Sequence, residues 1–174
     1  PLADLLFQQD NGIGDLGKAA YRWIDWLASS KQKLWQVLPL GPTGFADSPY
    51  ACFSAFAGNP LLVSLEALVQ AGDLSTTDFA GGPPFPQHEV DYGAVIATKM
   101  PLLDQAAQHF LDHATVDRRV AYEAFNAKNA DWLDDYALFM AVKERFNGAI
   151  WYDWEADIAL REPEALARWR EETA

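Results

Sequence analysis

The sequence predicts an α/β protein that is helix-rich overall, and three observations carry that prediction. From Asp15 to Ser30 the apolar residues Leu16, Ala19, Ala20, Trp23 and Leu27 recur at spacings of three and four, the stripe of a helix lying on a core. The run Leu34-Trp35-Gln36-Val37-Leu38-Pro39-Leu40 is then almost continuously apolar and is closed by Gly41-Pro42. Its length suits a strand buried on both faces, as in a parallel sheet. After residue 62 the pattern is mostly helical.

The elements follow in order. Gly12 and Gly14 form a turn, Asp15 caps the first helix, and Ser29-Ser30-Lys31 ends it. Pro39 sets the end of strand pairing, and Leu61-Leu62-Val63 offers one further short strand. Ser64 caps a short helix through Leu65, Leu68 and Val69, stopped at Gly72. Residues 75–88, with Gly81-Gly82-Pro83-Pro84 and Pro86, form an irregular connection. Asp91 opens a helix toward Ala114 that Pro101 kinks or breaks. Residues 116–128 and 131–147 are two more helices, the second presenting Trp132, Leu133, Tyr136, Ala137 and Met140 on one face and ending at Gly148. A last helix starts near Pro163, a favourable first-turn position for proline.

Composition narrows the functional classes. The chain has 174 residues, half of them apolar, with 13 Lys plus Arg against 25 Asp plus Glu, a net charge of −12. That balance repels a nucleic-acid backbone and an anionic membrane, so neither is an expected partner. No apolar stretch reaches the roughly eighteen residues a membrane span needs. The start, PLADLLFQQDNG, lacks the basic and long apolar regions of a secretory signal. A single cysteine forms no internal disulfide, which fits a reducing, cytoplasmic setting. The charge is uneven: residues 1–60 hold 5 acids and 4 bases, and the acidic excess falls on the remainder.

Most candidate constellations have an ordinary structural reading. His109 and His113 stand at metal-binding spacing, but Phe110 occupies the place where a zinc hydrolase needs Glu, so no metal is expected. Asp134-Asp135, and Glu162 with Glu164, read as solvated helix faces. Gly12-Ile13-Gly14-Asp15-Leu16-Gly17 lacks the preceding strand of a dinucleotide site, since Phe7-Gln8-Gln9-Asp10-Asn11 is a poor one. Cys52 has no neighbouring base and reads as an ordinary packed or half-exposed thiol.

The segment GPTGFADSPYACFSAFAGNP, residues 41–60, is different. It is long and aperiodic, and it carries Phe45, Tyr50, Phe53 and Phe56. Tyr50 offers a ring face and a hydroxyl, Ser48 and Asp47 offer small polar groups, and Pro49 stiffens the backbone. Such a set suits a sugar ring, and a loop at the carboxyl end of a buried strand is where α/β proteins place sites. A surface loop folded under its own aromatics is the other reading.

The run from Gly12 to Leu62 closely resembles the amino-terminal part of the 4-alpha-glucanotransferases, also called amylomaltases. The strongest matches are Trp35-Gln36-Val37-Leu38-Pro39-Leu40-Gly41-Pro42-Thr43-Gly44, Asp47-Ser48-Pro49-Tyr50, and Ser54-Ala55-Phe56-Ala57-Gly58-Asn59-Pro60. Weaker similarity continues through Val90-Asp91-Tyr92-Gly93 and from Trp132 to Met140. The resemblance implies the amino-terminal part of a (β/α)8 barrel with a mostly helical insertion. Residues 1–62 would be early barrel elements and a substrate-cleft loop, 63–150 the insertion, and 151–174 a linker and the start of a further helix. A complete barrel takes about 250 residues, so the barrel would be incomplete.

The activity implied is transfer of alpha-1,4-glucan segments between maltooligosaccharides, starch-type glucans or glucose. It proceeds by retaining double displacement without metal or organic cofactor. The family's catalytic carboxylates lie beyond the matched region, so no catalytic residue is assigned and the chain alone is expected to be inactive. Ser48 and Tyr50 match residues lining the substrate cleft, and Asp47 matches one that holds the loop. Ala51 stands where the family usually has Gln. Phe45 and Ile96 stand where some members carry tyrosines of a secondary glucan groove. Residues 1–11 depart from the expected first strand and imply a truncated or misread start. The contrasting readings are a non-catalytic helical carbohydrate-binding or interaction module and an alpha-amylase-type hydrolase.

Overall fold

A computed structural model describes residues 11–82, 84–86 and 88–173. It divides into two compact units, Pro1–Val116 and Asp117–Ala174. The described residues are helical or irregular, and none of their helices is long and apolar enough to cross a membrane. The predicted departure of the first strand, and the weak strand at Phe7–Asp10, lie outside the described residues, as do Pro83 and Gln87.

In the first unit α1 spans Lys18–Ser29, α2 Leu65–Ala71 and α3 Tyr92–His113. Four of the five residues of the stripe predicted for α1 face inward, with Ala20 buried and Ala19, Trp23 and Leu27 half-buried, whereas Leu16 precedes the helix and is exposed. Its start differs from the expectation. Gly17 is the cap residue, and Asp15 instead accepts the Gly17 N–H at 2.8 Å, forming a turn just before the helix.

α2 forms as predicted. Ser64 accepts the Ala67 N–H, and Gly72 ends the helix in the left-handed conformation at φ +83°, where a side chain would be disfavoured. Asp91 caps α3 through the Ala94 N–H at 3.0 Å. α3 runs unbroken through Pro101. Val95 and Lys99 before the proline share one buried stripe with Leu102 and Ala106 after it, so packing on both sides holds the helix across the missing N–H. Two small cores line that stripe: Ile13, Leu61 and Val95 form one, and Leu65, Leu74, Leu102 and Ala106 the other.

The strand predicted over Leu34–Leu40 does not form. The run has neither ladder nor helix, and Leu34 is 92% and Leu38 58% exposed. A doubly buried strand needs hydrogen-bonded neighbours on both edges and packed layers on both faces. Among the described residues no strand exists to supply them. Leu61-Leu62 likewise lie in a 3-10 turn, Pro60–Leu62, not a strand. Trp35 packs edge-on against Trp23 at 6.3 Å, and Trp23 stacks on Trp26 at 4.9 Å.

The second unit holds α4 (Val116–Lys128) from Asp117 onward, α5 (Leu133–Arg145), α6 (Ala156–Ala159) and α7 (Pro163–Glu172), the last beginning at the predicted proline. α5 buries Leu138 and Val142, while Ala137 on the predicted face is exposed. Apolar residues surround much of this helix, so periodicity alone does not choose a side. The choice is made by Ile158, Ala165 and Trp169, which pack on Leu138 and Val142 with Phe146 and Trp154 beside them.

Candidate functional site

The segment after Leu40 is tied at its base. Asn59 donates its backbone N–H to the Leu40 carbonyl at 2.8 Å, so residues 41–58 leave and return at one point. Inside the loop, Ser54 Oγ accepts the N–H groups of Phe56 and Ala57 at 3.1 and 3.0 Å, and Asn59 Oδ1 accepts that of Leu61 at 3.0 Å. These side-chain acceptors replace the backbone partners that a loop lacks.

A tight double turn carries the three predicted residues. Asp47 donates its N–H to the Gly44 carbonyl at 3.1 Å, and Ala51 donates to the Ser48 carbonyl at 3.2 Å. Ser48 Oγ accepts the Tyr50 N–H at 3.3 Å, with Pro49 pre-set between them. Ala46 and Asp47 both hold positive φ, 54° and 56°, a strained pair for residues with side chains. Gly44 permits the turn because a Cβ there would strike the Ala51 carbonyl.

The local fold therefore brings Asp47, Ser48 and Tyr50 together and turns the aromatic groups outward. Tyr50 is 74% exposed, Phe45 89% and Phe56 73%. Asp47 and Ser48 are half-buried at the base of the turn. The loop displays its large rings and does not fold beneath them. Cys52 is a half-buried free thiol whose Cβ lies close to Gly41.

The turn that follows the loop, Pro60–Leu62, is held by a buried lysine of α3. Lys99 is 1% exposed and donates its ammonium to the Leu61 carbonyl at 2.6 Å. Burial pushes its pKa below the ordinary lysine value, and the carboxylates of Asp15 and Glu66 partly offset that push. Asp15 is itself 3% exposed, and its Oδ2 makes no hydrogen bond. The signal was present in the sequence: Lys99 occupies the stripe position between Val95 and Leu102, where spacing alone predicts an apolar residue.

Of the remaining candidates, the histidines and Asp135 have structural partners. His109 and His113 stack at 4.5 Å, with His109 Nδ1 3.6 Å from the buried Asp73 carboxylate. Asp135 pairs with Arg161 at 2.7 Å and lies 3.6 Å from Arg170. Glu162 precedes α7 at its cap without a side-chain bond. Gly12 is held at positive φ against the Phe85 ring, and Gly17 against Asp15 and Ser64, so these glycines serve packing. In the second unit a cavity of about 290 Å³ is walled by Phe139, Trp151, Trp154 and Leu166, with the Asp135–Arg161 pair lining it.

Comparison with known proteins gives a consistent result. A family model described as 4-alpha-glucanotransferase matches residues 1–174. The 4-alpha-glucanotransferase of Synechocystis sp. is 49% identical over 158 residues, covering 91% of this chain and 31% of that protein. That of Thermus thermophilus is 45% identical over 155 residues, covering 89% of this chain and 30% of that protein. Among solved structures, the amylomaltase from Streptococcus agalactiae in complex with acarbose matches with a TM-score of 0.86 at 35% identity. The match covers 97% of this chain and 34% of that one. The chain thus spans about a third of the length of these relatives.

Proposed function

The chain belongs to the 4-alpha-glucanotransferase family, and on that premise we propose that it is the amino-terminal segment of an enzyme that moves alpha-1,4-glucan segments onto maltooligosaccharide or glucose acceptors. The closed loop of residues 41–58 supports this reading, because it holds Ser48 and Tyr50 in one hydrogen-bonded turn with the Tyr50 ring outward. Tyr50 would lie against a sugar face, Ser48 would hydrogen-bond a hydroxyl, and Asp47 would hold the turn.

In retaining transfer one carboxylate becomes covalently linked to the donor sugar, and a second acts first as acid and then as base. This chain would contribute substrate positioning and neither of those carboxylates. An acceptor sugar, favoured over water at the covalent intermediate, makes the outcome transfer. No metal or organic cofactor enters the reaction so conceived.

In the same reading residues 1–62 are early elements of a (β/α)8 barrel, 63–150 a helical insertion, and 151–174 a linker and the beginning of a further helix. Leu34–Leu40 would become a barrel strand once paired, which accounts for its apolar content and its present exposure. The setting would be the cytoplasm, and the partners glucans, with no nucleic acid or membrane. The test is maltotriose disproportionation by a full-length polypeptide carrying this segment, with and without Tyr50→Ala. Glucose release that falls with the substitution supports the reading, and an unchanged rate removes Tyr50 from the site.

A further inference from the structure

Asn59 bonds in two directions. Its backbone N–H donates to the Leu40 carbonyl at 2.8 Å, which closes the loop of residues 41–58. Its carbonyl accepts the Leu62 N–H at 3.0 Å, and its Oδ1 accepts the Leu61 N–H at 3.0 Å. These two bonds build the closing residue into the Pro60–Leu62 turn. Asn59 is therefore the joint between the displayed loop and the turn on which it stands.

The turn is firmly seated. Leu61 is buried and packs with Ile13 and Val95. Lys99 donates to the Leu61 carbonyl at 2.6 Å, and the Leu16 N–H donates to the Leu62 carbonyl at 2.9 Å. On the other side of the joint, the hydrogen bonds of Ser48 Oγ and Ser54 Oγ stay inside the loop. They shape it without tying it to the rest of the unit.

The residue type follows from the turn. The first amides of a helical turn have no partner within it, and a donor on a buried residue needs one. Asn59 Oδ1 supplies it by folding over the two residues that follow, as asparagine does in such turns. That bond holds the Asn59 backbone at φ −70° and ψ 119°, and so fixes the direction in which the loop departs. Alanine at this position would leave the Leu61 N–H without its acceptor and the joint free to turn.

We propose that Asn59 is a positioning residue for glucan transfer, its Oδ1 holding the joint from which the loop presents Ser48 and Tyr50. The inference rests on the reading of those two residues as sugar-facing. It adds that their placement is set at the foot of the loop, by a side chain bonded to backbone.

A double-mutant cycle on maltotriose disproportionation tests it, in a full-length polypeptide carrying this segment. Asn59→Ala should lower kcat/KM about tenfold, the scale of a small misplacement of a positioned group. Asn59→Asp keeps the acceptor and should recover all but about twofold of that loss. In a Tyr50→Ala background Asn59→Ala should cost less than about twofold, because the ring that it places is gone. Equal costs in both backgrounds, as from a general loss of folded enzyme, would overturn the proposal. An undiminished Asn59→Ala enzyme, or an Asn59→Asp enzyme as damaged as Asn59→Ala, would overturn it too. Tyr50→Ala alone separates the two claims. An undiminished rate there removes the loop reading, whereas a loss there with independent Asn59 costs removes only this inference. In the 174-residue chain, Asn59→Ala should quicken hydrogen exchange at the Tyr50 and Ala51 amides while Val95 and Leu102 of α3 keep their protection. Equal quickening in α3 would mean that the whole unit had loosened, against the proposal.

Discussion

Lys99 donates its buried ammonium to the Leu61 carbonyl at 2.6 Å, two residues beyond the Asn59 N–H that closes the loop onto Leu40. One side chain of α3 therefore fixes the turn on which the carboxyl end of the displayed loop rests. Replacing it by methionine keeps much of the length and removes the donor. Lys99→Met leaves the Leu61 carbonyl without its donor, and above pH 10.5, where no charge remains to be buried, it should lower the stability of the first unit by about 1 kcal/mol, read by chemical denaturation.

The same residue sets a pH dependence. Burial holds the Lys99 pKa below 10.5, so between the folded value and 10.5 the unfolded chain binds more protons. Lys99 therefore makes stability rise with pH across that window, with its destabilising effect present below it. The difference in stability-versus-pH slope between wild type and Lys99→Met isolates this contribution. A slope of opposite sign would contradict the burial argument.

Gly44 is where the loop is least tolerant. A Cβ there would meet the Ala51 carbonyl, so Gly44→Ala must shift the backbone that carries Ser48 and Tyr50. Overpacking of this kind costs about 1–3 kcal/mol. Hydrogen exchange should quicken at the amides of Ala51 and Asn59, while amides of α5 and α7 keep their protection.

In the second unit, Arg168 bonds both Glu155 and Asp157 at 3.0 Å. Desolvation pushes the Asp157 carboxyl up, but the Ile158 N–H and the Arg168 guanidinium together outweigh it and hold the pKa below 3.8. A carboxylate depressed in the fold contributes stability above its unfolded pKa and loses it as pH falls through the folded value. Arg168→Met should move the Asp157 titration, followed by carboxyl NMR, upward toward 3.8.

Much of this architecture was legible in the residues. Ser64, Gly72, Asp91 and Pro163 marked helix ends because caps act locally, within a turn of the chain. Leu34–Leu40 forms no strand here because a strand is defined by neighbours that sequence pattern does not supply, and none is present among the described residues. The buried face of α5 was missed because Trp154 and Trp169, distant in sequence, choose it. Lys99 was overlooked because a motif search treats an isolated lysine as surface, whereas its position on the α3 stripe marked it as buried.

Glucose release from maltotriose tests the central claim most directly, measured in parallel on the 174-residue chain and on a full-length polypeptide that contains it. The account predicts no release by the chain alone and sustained release by the full-length protein. In the full-length protein Tyr50→Ala should lower kcat/KM at least about tenfold, or ~1.4 kcal/mol of transition-state stabilisation. Release by the isolated chain, or a full-length Tyr50→Ala variant with undiminished kcat/KM, would contradict it.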